Sequence, residues 1–446
     1  MTDSPSSPAH TSAGDVERAL ERSLGVRSLA ASILNITVGG GIFLYPAIVA
    51  GGLGAAAWLA YVVCAVAFGL IVLCFAEAGS RVKLTGGPYA YVGTVFGPFV
   101  GYISGVLLWL LGVQAHAAIA NGFVKGINAF FPGAGIGAAR TVMILAVFGF
   151  FAAVNVRGVR QGARLIEVAT VAKLLPLAVF VLFGAFMISP SNLAWPGMPT
   201  AANLGRMSIL LVFAFSGVES ALAPSGEVKD PSRTVPRAVG IAMIGITVLY
   251  VSVQLVAQGI LGATLPGHGD APLAAAAEQA FGPAGGLLLL VGASVSMFGY
   301  LSGMMLAMPR TLFAFARDGY LPRALAKVNP STHVPAAAIV THALAVSALA
   351  ISGTFESLAI LSNISALLLY LLCSAAAFEL RRKNVREAGE PFRIPGGAAV
   401  PVLSILVILF LLSNATGAEL RSIGMVIALA IVLYFFRNKA MARAAA

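Results

Sequence analysis

The stretch Thr37-Val38-Gly39-Gly40-Gly41-Ile42-Phe43 places three consecutive glycines inside an apolar run that is otherwise long enough to cross a bilayer. Glycine costs about 1 kcal/mol relative to alanine in a helix interior, so this is the wrong sequence for an uninterrupted helix. Backbone groups released in hydrocarbon must find partners, and such a break survives only where it is packed in protein or lines a cavity. Two readings follow: a binding site at a broken span, or glycines that let two membrane helices pack closely.

Composition fixes the class. Of 446 residues, 59% are hydrophobic and 10% charged, against about 25% charged in an ordinary soluble domain. The chain is expected to be an all-α polytopic membrane protein. Its net charge of +11 would suit nucleic acid, but membrane topology accounts for it below, and no nucleic-acid partner is expected. Cys64, Cys74 and Cys373 lie inside apolar runs with no metal-ligand spacing and read as small buried hydrophobes; no metal or cofactor is expected. The first 27 residues are polar, carry Asp15, Glu17 and Glu21 among the arginines, and do not resemble a cleavable signal.

Apolar stretches of roughly 20 residues fall at about 29–50, 54–78, 98–124, 141–156, 163–188, 204–226, 237–263, 284–309, 335–352, 356–378, 400–417 and 422–436, which predicts twelve spans. With the N-terminus in the cytoplasm, the outer loops receive only Lys125, Arg140, Arg206 and Arg421. Lys173 falls within a span, and every other one of the 28 lysines and arginines lies on the cytoplasmic side. This is the positive-inside pattern, with both terminal tails, 1–28 and 437–446, in the cytoplasm.

The chain also reads as a repeat. Spans one to five (29–188) and six to ten (204–378) form blocks of similar length that start on opposite sides, and 400–436 adds two further spans. Span six contains its own interruption, Phe213-Ala214-Phe215-Ser216-Gly217-Val218-Glu219. Interrupted spans at corresponding places in two inverted halves point to a secondary transporter with its site at the repeat interface. At about 1.5 Å per residue, Gly40, Lys173 and Gly217 share a depth of roughly 16–18 Å, near the middle of a core about 30 Å thick. That common depth favours the binding-site reading.

An opened helix presents N–H groups at the start of one half, suited to a carboxylate, and carbonyls at the end of the other, suited to an ammonium. An α-amino acid has both groups. The donors are expected around Gly40, Gly41 and Ile42, and the acceptors around Phe213, Ala214 and Ser216.

Several motifs resemble the amino acid–polyamine–organocation transporters, and within them the bacterial amino-acid permeases and exchangers. They are Val38-Gly39-Gly40-Gly41-Ile42-Phe43, Gly86-Gly87-Pro88-Tyr89-Ala90-Tyr91 running to Phe96-Gly97-Pro98-Phe99, Gly217-Val218-Glu219-Ser220 followed by Gly226-Glu227-Val228-Lys229-Asp230-Pro231 and Pro236, and Ala316-Arg317-Asp318-Gly319-Tyr320-Leu321-Pro322. The resemblance implies a five-plus-five inverted repeat with broken helices one and six, and alternating access to an amino acid held at the two breaks. It also implies the inner membrane as location and a monomer or homodimer as assembly.

Site residues carry over one at a time. Gly39, Gly40 and Gly41 match the carboxylate-binding motif, with Gly40 where the family's central serine stands, which leaves backbone donors. Phe213 falls where relatives place a gating aromatic, or is an ordinary core phenylalanine. Glu219 matches an acidic residue just past the second break; an ionisable group in a membrane interior is functional by default, though a structural hydrogen bond would also explain it. Lys173 occupies a span-five position where relatives that do not use sodium often carry lysine, and it reads as a coupling or gating group, the alternative being a tether between spans one and five. In the stretch Trp109–His116, aligned with a pocket-lining segment, Gly112 and His116 are candidates to touch substrate; a packing role for His116 is the other reading. His342 reads as structural, and Glu77, Arg81 and Lys83 as holding the inner loop beside them. Met304 stands where some cationic amino-acid exchangers carry tryptophan.

No Gly-x-Ser-x-Gly elbow or His-Glu-x-x-His motif indicates an enzyme, and no repeated filter indicates a channel. The expected function is secondary active transport of neutral or broad-range amino acids by proton symport. Amino-acid/amine exchange is the alternative mode, and a nutrient sensor on the same fold is the alternative class.

Overall fold

The structure is a computed structural model and describes residues 22–195, 197–269, 271–413 and 417–445. The expected N-terminal tail therefore lies, over residues 1–21, outside the described residues. Among those described there is no strand, only one isolated parallel bridge between Leu24 and Val228. The α-helices are α1 (Val26–Thr37), α2 (Gly41–Leu53), α3 (Ala57–Arg81), α4 (Pro88–Phe130), α5 (Gly137–Val156), α6 (Val159–Gly184), α7 (Ala201–Phe215) and α8 (Val218–Ala221). They continue as α9 (Pro231–Leu261), α10 (Pro272–Phe281), α11 (Pro283–Ala307), α12 (Pro309–Arg317), α13 (Ala336–Ser352), α14 (Phe355–Arg382), α15 (Ala399–Leu412) and α16 (Gly417–Ala445).

Polarity is distributed as a membrane requires. Val168, Val171, Leu175 and Leu182 are exposed along one face of α6, while Lys173, on its other face, is 0% exposed. Long exposed apolar faces of this kind need a covering, and lipid supplies it: this is a multi-pass membrane protein. By length and composition, eight helical stretches among the described residues can cross a membrane, and three shorter apolar helices, Ala336–Ser352, Ala399–Leu412 and Ile423–Arg437, accompany them. The difference from the twelve expected spans has a physical origin. The first span is split into halves of 12 and 13 residues, each too short to cross alone.

Boundaries also differ where a helix continues past its apolar core. The third expected span, 98–124, belongs to a run from Pro88 to Phe130 that turns at Gly97 (φ 82°, ψ 178°). That conformation suits glycine, and Pro98 then starts the next segment, where a missing N–H costs nothing.

Around the first break, α1 packs on α9, α6 and α11, α11 packs along α6, and α4 lies against α14. The end of the molecule that carries residue 24 is tied by polar contacts. Leu24 N–H donates to the Glu227 carbonyl (3.0 Å) and Lys229 N–H to the Leu24 carbonyl (2.9 Å). Arg310 of α12 donates to Glu227 (2.8 Å), both side chains 0% exposed. Glu77 receives Arg81 (2.6 Å) and Arg381 (3.4 Å) and also the backbone N–H of Ile394 (3.2 Å). Glu77 and Arg81 thus hold the segment between α14 and α15, far along the chain from the loop beside them that sequence proximity suggested.

Removing one member of a buried ion pair leaves an uncompensated charge, at about 3–5 kcal/mol. Arg310→Met is expected to lower the melting temperature of the purified protein sharply, and Glu227→Gln in the same chain to recover part of the loss; equal melting temperatures for wild type and Arg310→Met would remove this pair from the stabilising contacts.

Candidate functional site

The first break is opened by a tight turn. α1 ends at Thr37, Val38 takes φ −76° and ψ 74°, the inverse γ-turn conformation, and Gly39 N–H bonds back to the Thr37 carbonyl (2.8 Å). α2 restarts at Gly41 with Gly40 as its N-cap. Three N–H groups, those of Gly40, Gly41 and Ile42, donate to no protein acceptor among the described residues, as expected at a helix start without a side-chain cap.

The carbonyl side of the same break is occupied. Lys173 Nζ donates to the carbonyls of Asn35 (2.7 Å) and Val38 (2.5 Å). Ser296 Oγ lies 2.9 Å from the Val38 carbonyl and 3.0 Å from that of Gly39, and Tyr250 Oη lies 2.9 Å from the Thr37 carbonyl. Asn35 Nδ2 reaches across to the Gly299 carbonyl of α11. The Ile36 carbonyl has no donor among the described residues.

The second break is built differently. α7 ends at Phe215, Ser216 is extended and Gly217 takes φ 137°, a conformation that L side chains rarely adopt. A Cβ on Gly217 would also lie 2.9 Å from both Ile36 Cγ2 and Thr37 Oγ1, so the two breaks touch at a glycine for two independent reasons. Ser216 closes α7 on the Val212 carbonyl through N–H (3.0 Å) and hydroxyl (2.9 Å). The Ala214 carbonyl faces Tyr250 Oη (3.0 Å), and the Phe213 carbonyl receives only a long contact from Ser216 N–H (3.4 Å). Glu219 accepts from Gly217 N–H (3.0 Å), Tyr370 Oη (3.0 Å) and Ser220 Oγ (3.3 Å), holding the short helix α8 against α14.

Between the breaks lies a cavity of about 30 Å³, lined by Gly39, Gly40, Gly41, Phe213, Ala214, Ser216, Gly217 and Glu219, and also by Ile36, Thr37, Tyr300, Met304 and Asn363. A water needs about 10–15 Å³ measured in this way, so a larger occupant requires side chains to move. Two polar atoms on the lining, Thr37 Oγ1 and Asn363 Oδ1, are buried without a partner among the described residues.

The expected site residues divide accordingly. Gly39, Gly40, Gly41, Phe213, Ala214, Ser216, Gly217 and Glu219 come together at the cavity, and Ile42 presents its N–H at the start of α2. Val38 is 0% exposed, and its carbonyl is taken by Lys173 and Ser296, which leaves it behind the break. Lys173 likewise sits behind the first break. Gly112 and His116 do not reach the cavity. Gly112 faces Met308, whose Sδ occupies the space a Cβ would need. His116 points to α13, with Nδ1 3.2 Å from His342 Nε2 and Nε2 3.0 Å from the Leu301 carbonyl. The pair explains both buried histidines by packing, and leaves His342 Nδ1 without a partner among the described residues. Residues the sequence reading missed are Ile36, Thr37, Tyr250, Ser296, Tyr300 and Asn363. Thr37 was within the glycine stretch, whereas the others carry no local signal.

Fold and site together define a multi-pass helical membrane protein with a small cavity between two broken helices, one offering free N–H groups. The chain matches the amino acid permease family over residues 24–437. It is 28% identical to the serine/threonine exchanger SteT of Bacillus subtilis over 92% of this chain and 94% of that one. It is 28% identical to the methylthioribose transporter of the same organism, covering 96% of each. To the branched-chain amino acid permease BcaP, also of Bacillus subtilis, it is 26% identical, over 95% of this chain and 94% of the relative. The chain belongs to the amino acid permease family.

Leucine at Gly40, the N-cap of α2, would project its side chain beside Met297 and Ile119. Losing two charge-assisted hydrogen bonds at about 1.5–3 kcal/mol each is expected to weaken substrate binding by about a hundredfold or more in Gly40→Leu, with unchanged membrane insertion; binding retained at wild-type strength, read by scintillation proximity on purified protein, would contradict the site.

Proposed function

We propose that this chain is a secondary active transporter that carries a neutral amino acid by alternating access, in symport with a proton. The observation that carries the reading is the pairing, across one cavity, of three unspent N–H groups at the start of α2 with the Ile36 and Phe213 carbonyls. The first set suits a carboxylate, the second an ammonium. Among the described residues no fixed cation lines the cavity, which leaves the carboxylate to the backbone, and the Thr37 hydroxyl and Asn363 amide oxygen, without a partner among them, suit a small polar side chain. In support, two of the three relatives are named for amino acids, one as a serine/threonine exchanger and one as a branched-chain amino acid permease, while the methylthioribose transporter marks how far substrates diverge within the family.

In this reading the chain has twelve spans, with 29–188 and 204–378 as inverted halves and 400–436 trailing, in the inner membrane with both termini cytoplasmic. Phe213 covers the substrate, and Glu219 with Tyr370 fixes α8 as the inner half of the second break. Lys173 is the coupling group. An ammonium holds the Asn35 and Val38 carbonyls more strongly than a neutral amine, so release of its proton loosens the first break.

Uptake of labelled amino acids into proteoliposomes tests this reading. An inward proton gradient is expected to drive accumulation of small neutral amino acids into empty vesicles, and Lys173→Met to lose that response. Uptake that requires internal amino acid would replace symport by exchange, a strict sodium requirement would remove the role of Lys173, and no uptake of any amino acid would overturn the substrate class.

A further inference from the structure

Helix α9 carries Tyr250, Gln254 and Gln258 one turn apart on a single stripe, 0, 1 and 4% exposed. The Tyr250 end of the stripe meets both breaks. Tyr250 Oη lies 2.9 Å from the Thr37 carbonyl and 3.0 Å from the Ala214 carbonyl. One hydroxyl has one proton, so it serves one of these carbonyls at a time and leaves the other open to a second donor.

The other end of the stripe opens on a different cavity. Gln258 Nε2 donates to the Gly262 carbonyl (3.1 Å), its Oε1 has no donor among the described residues, and the residue lines a cavity of about 480 Å³ together with Asn192, Asn203 and Pro266. This cavity lies at the ends of α2 and α9, remote from Leu24. Between the two ends, Gln254 has neither its amide nitrogen nor its amide oxygen paired, and Tyr61 of α3, its ring 6.4 Å from that of Tyr250, has an unpaired hydroxyl.

Four buried polar atoms without protein partners thus lie between a large cavity and the carbonyls of the helix breaks. Native proteins satisfy such atoms with protein or with ordered water, and hydrocarbon offers no substitute. The amides and hydroxyls supply donors and acceptors in the alternation that a water with two to four partners needs. All four groups are neutral, so they offer no counter-charge to an ion.

We propose that this stripe holds a file of water molecules running from the 480 Å³ cavity to the Thr37 and Ala214 carbonyls, which belong to residues on the lining of the cavity between the breaks. Water arriving there supplies a donor to the Ala214 carbonyl when Tyr250 serves Thr37, and a second donor beside Gly39 N–H to the Thr37 carbonyl when Tyr250 serves Ala214. That the entrance is on the outer side rests on the topology proposed above. Water entry requires no transport, so the two readings fail separately.

X-ray hydroxyl-radical footprinting of the full-length protein tests the file, because radicals formed on bound water oxidise the nearest aromatic side chain. Tyr61 is expected to oxidise several-fold faster than the equally buried Phe180 of α6, and Gln254→Leu to bring Tyr61 down to the Phe180 rate. Equal rates for Tyr61 and Phe180 in the wild type, or a Tyr61 rate untouched by Gln254→Leu, would overturn the proposal. The melting temperature gives a second reading on the same variant. A dry stripe is relieved of two unpaired atoms by leucine and gains stability, which would overturn the proposal; a hydrated stripe loses the water's partners and melts lower.

Discussion

An open helix end buried among the helices of a membrane protein stands or falls on how its carbonyls are satisfied, and here three helices share the task. Lys173 from α6, Ser296 from α11 and Tyr250 from α9 take the carbonyls of Asn35, Val38, Gly39 and Thr37. An unsatisfied buried backbone group costs about 1–3 kcal/mol, and more where no water is near, so these donors offset a cost that the open helix end would otherwise carry. The polar side chains of the surrounding helices follow from this requirement. A buried lysine, expensive in itself, makes two short bonds to these carbonyls.

This arrangement makes the site chemically one-sided. Donors from elsewhere in the fold consume most of the carbonyl half of the first break, while the N–H half has no acceptor among the described residues. The fold therefore holds a standing partial positive charge at the start of α2, facing a cavity whose other wall supplies two under-used carbonyls, Ile36 and Phe213. Glycine is needed at this wall for contact as well as for breaking the helix: Gly217 lies against Ile36 and Thr37, and a Cβ on Gly39 would come within 3.3 Å of the Tyr300 ring.

Much of this was legible in the sequence, for reasons that can be named. The glycine run and the Phe213–Glu219 interruption announce themselves because they violate the composition of a membrane helix, and Lys173 because charge is expensive there. Counting residues from the span ends predicted one depth for all three, and in the fold Lys173 and Gly217 both meet the end of α1. Tyr250 and Ser296 were not legible, since a tyrosine or serine in a membrane helix is ordinary until a partner some 36 to 258 residues away is known, and Asn363 was not, because only the fold brings it to the cavity. His116 misled for the same reason. Alignment placed it on the right helix, but one face round from the cavity, where His342, 226 residues further on, completes it. The eight apolar stretches fall short of the twelve expected spans where breaks and short helices divide the hydrophobic runs.

The central claim is that backbone N–H groups of the first break, and no side chain, receive the carboxylate of the transported molecule. A structure of this chain determined with the amino acid it takes up most efficiently tests that most directly. The account predicts the carboxylate within hydrogen-bond distance of the N–H groups of Gly40, Gly41 and Ile42, with the ammonium turned towards the Ile36 and Phe213 carbonyls. A carboxylate bound to a side chain, or a substrate lodged away from the two breaks, would contradict it.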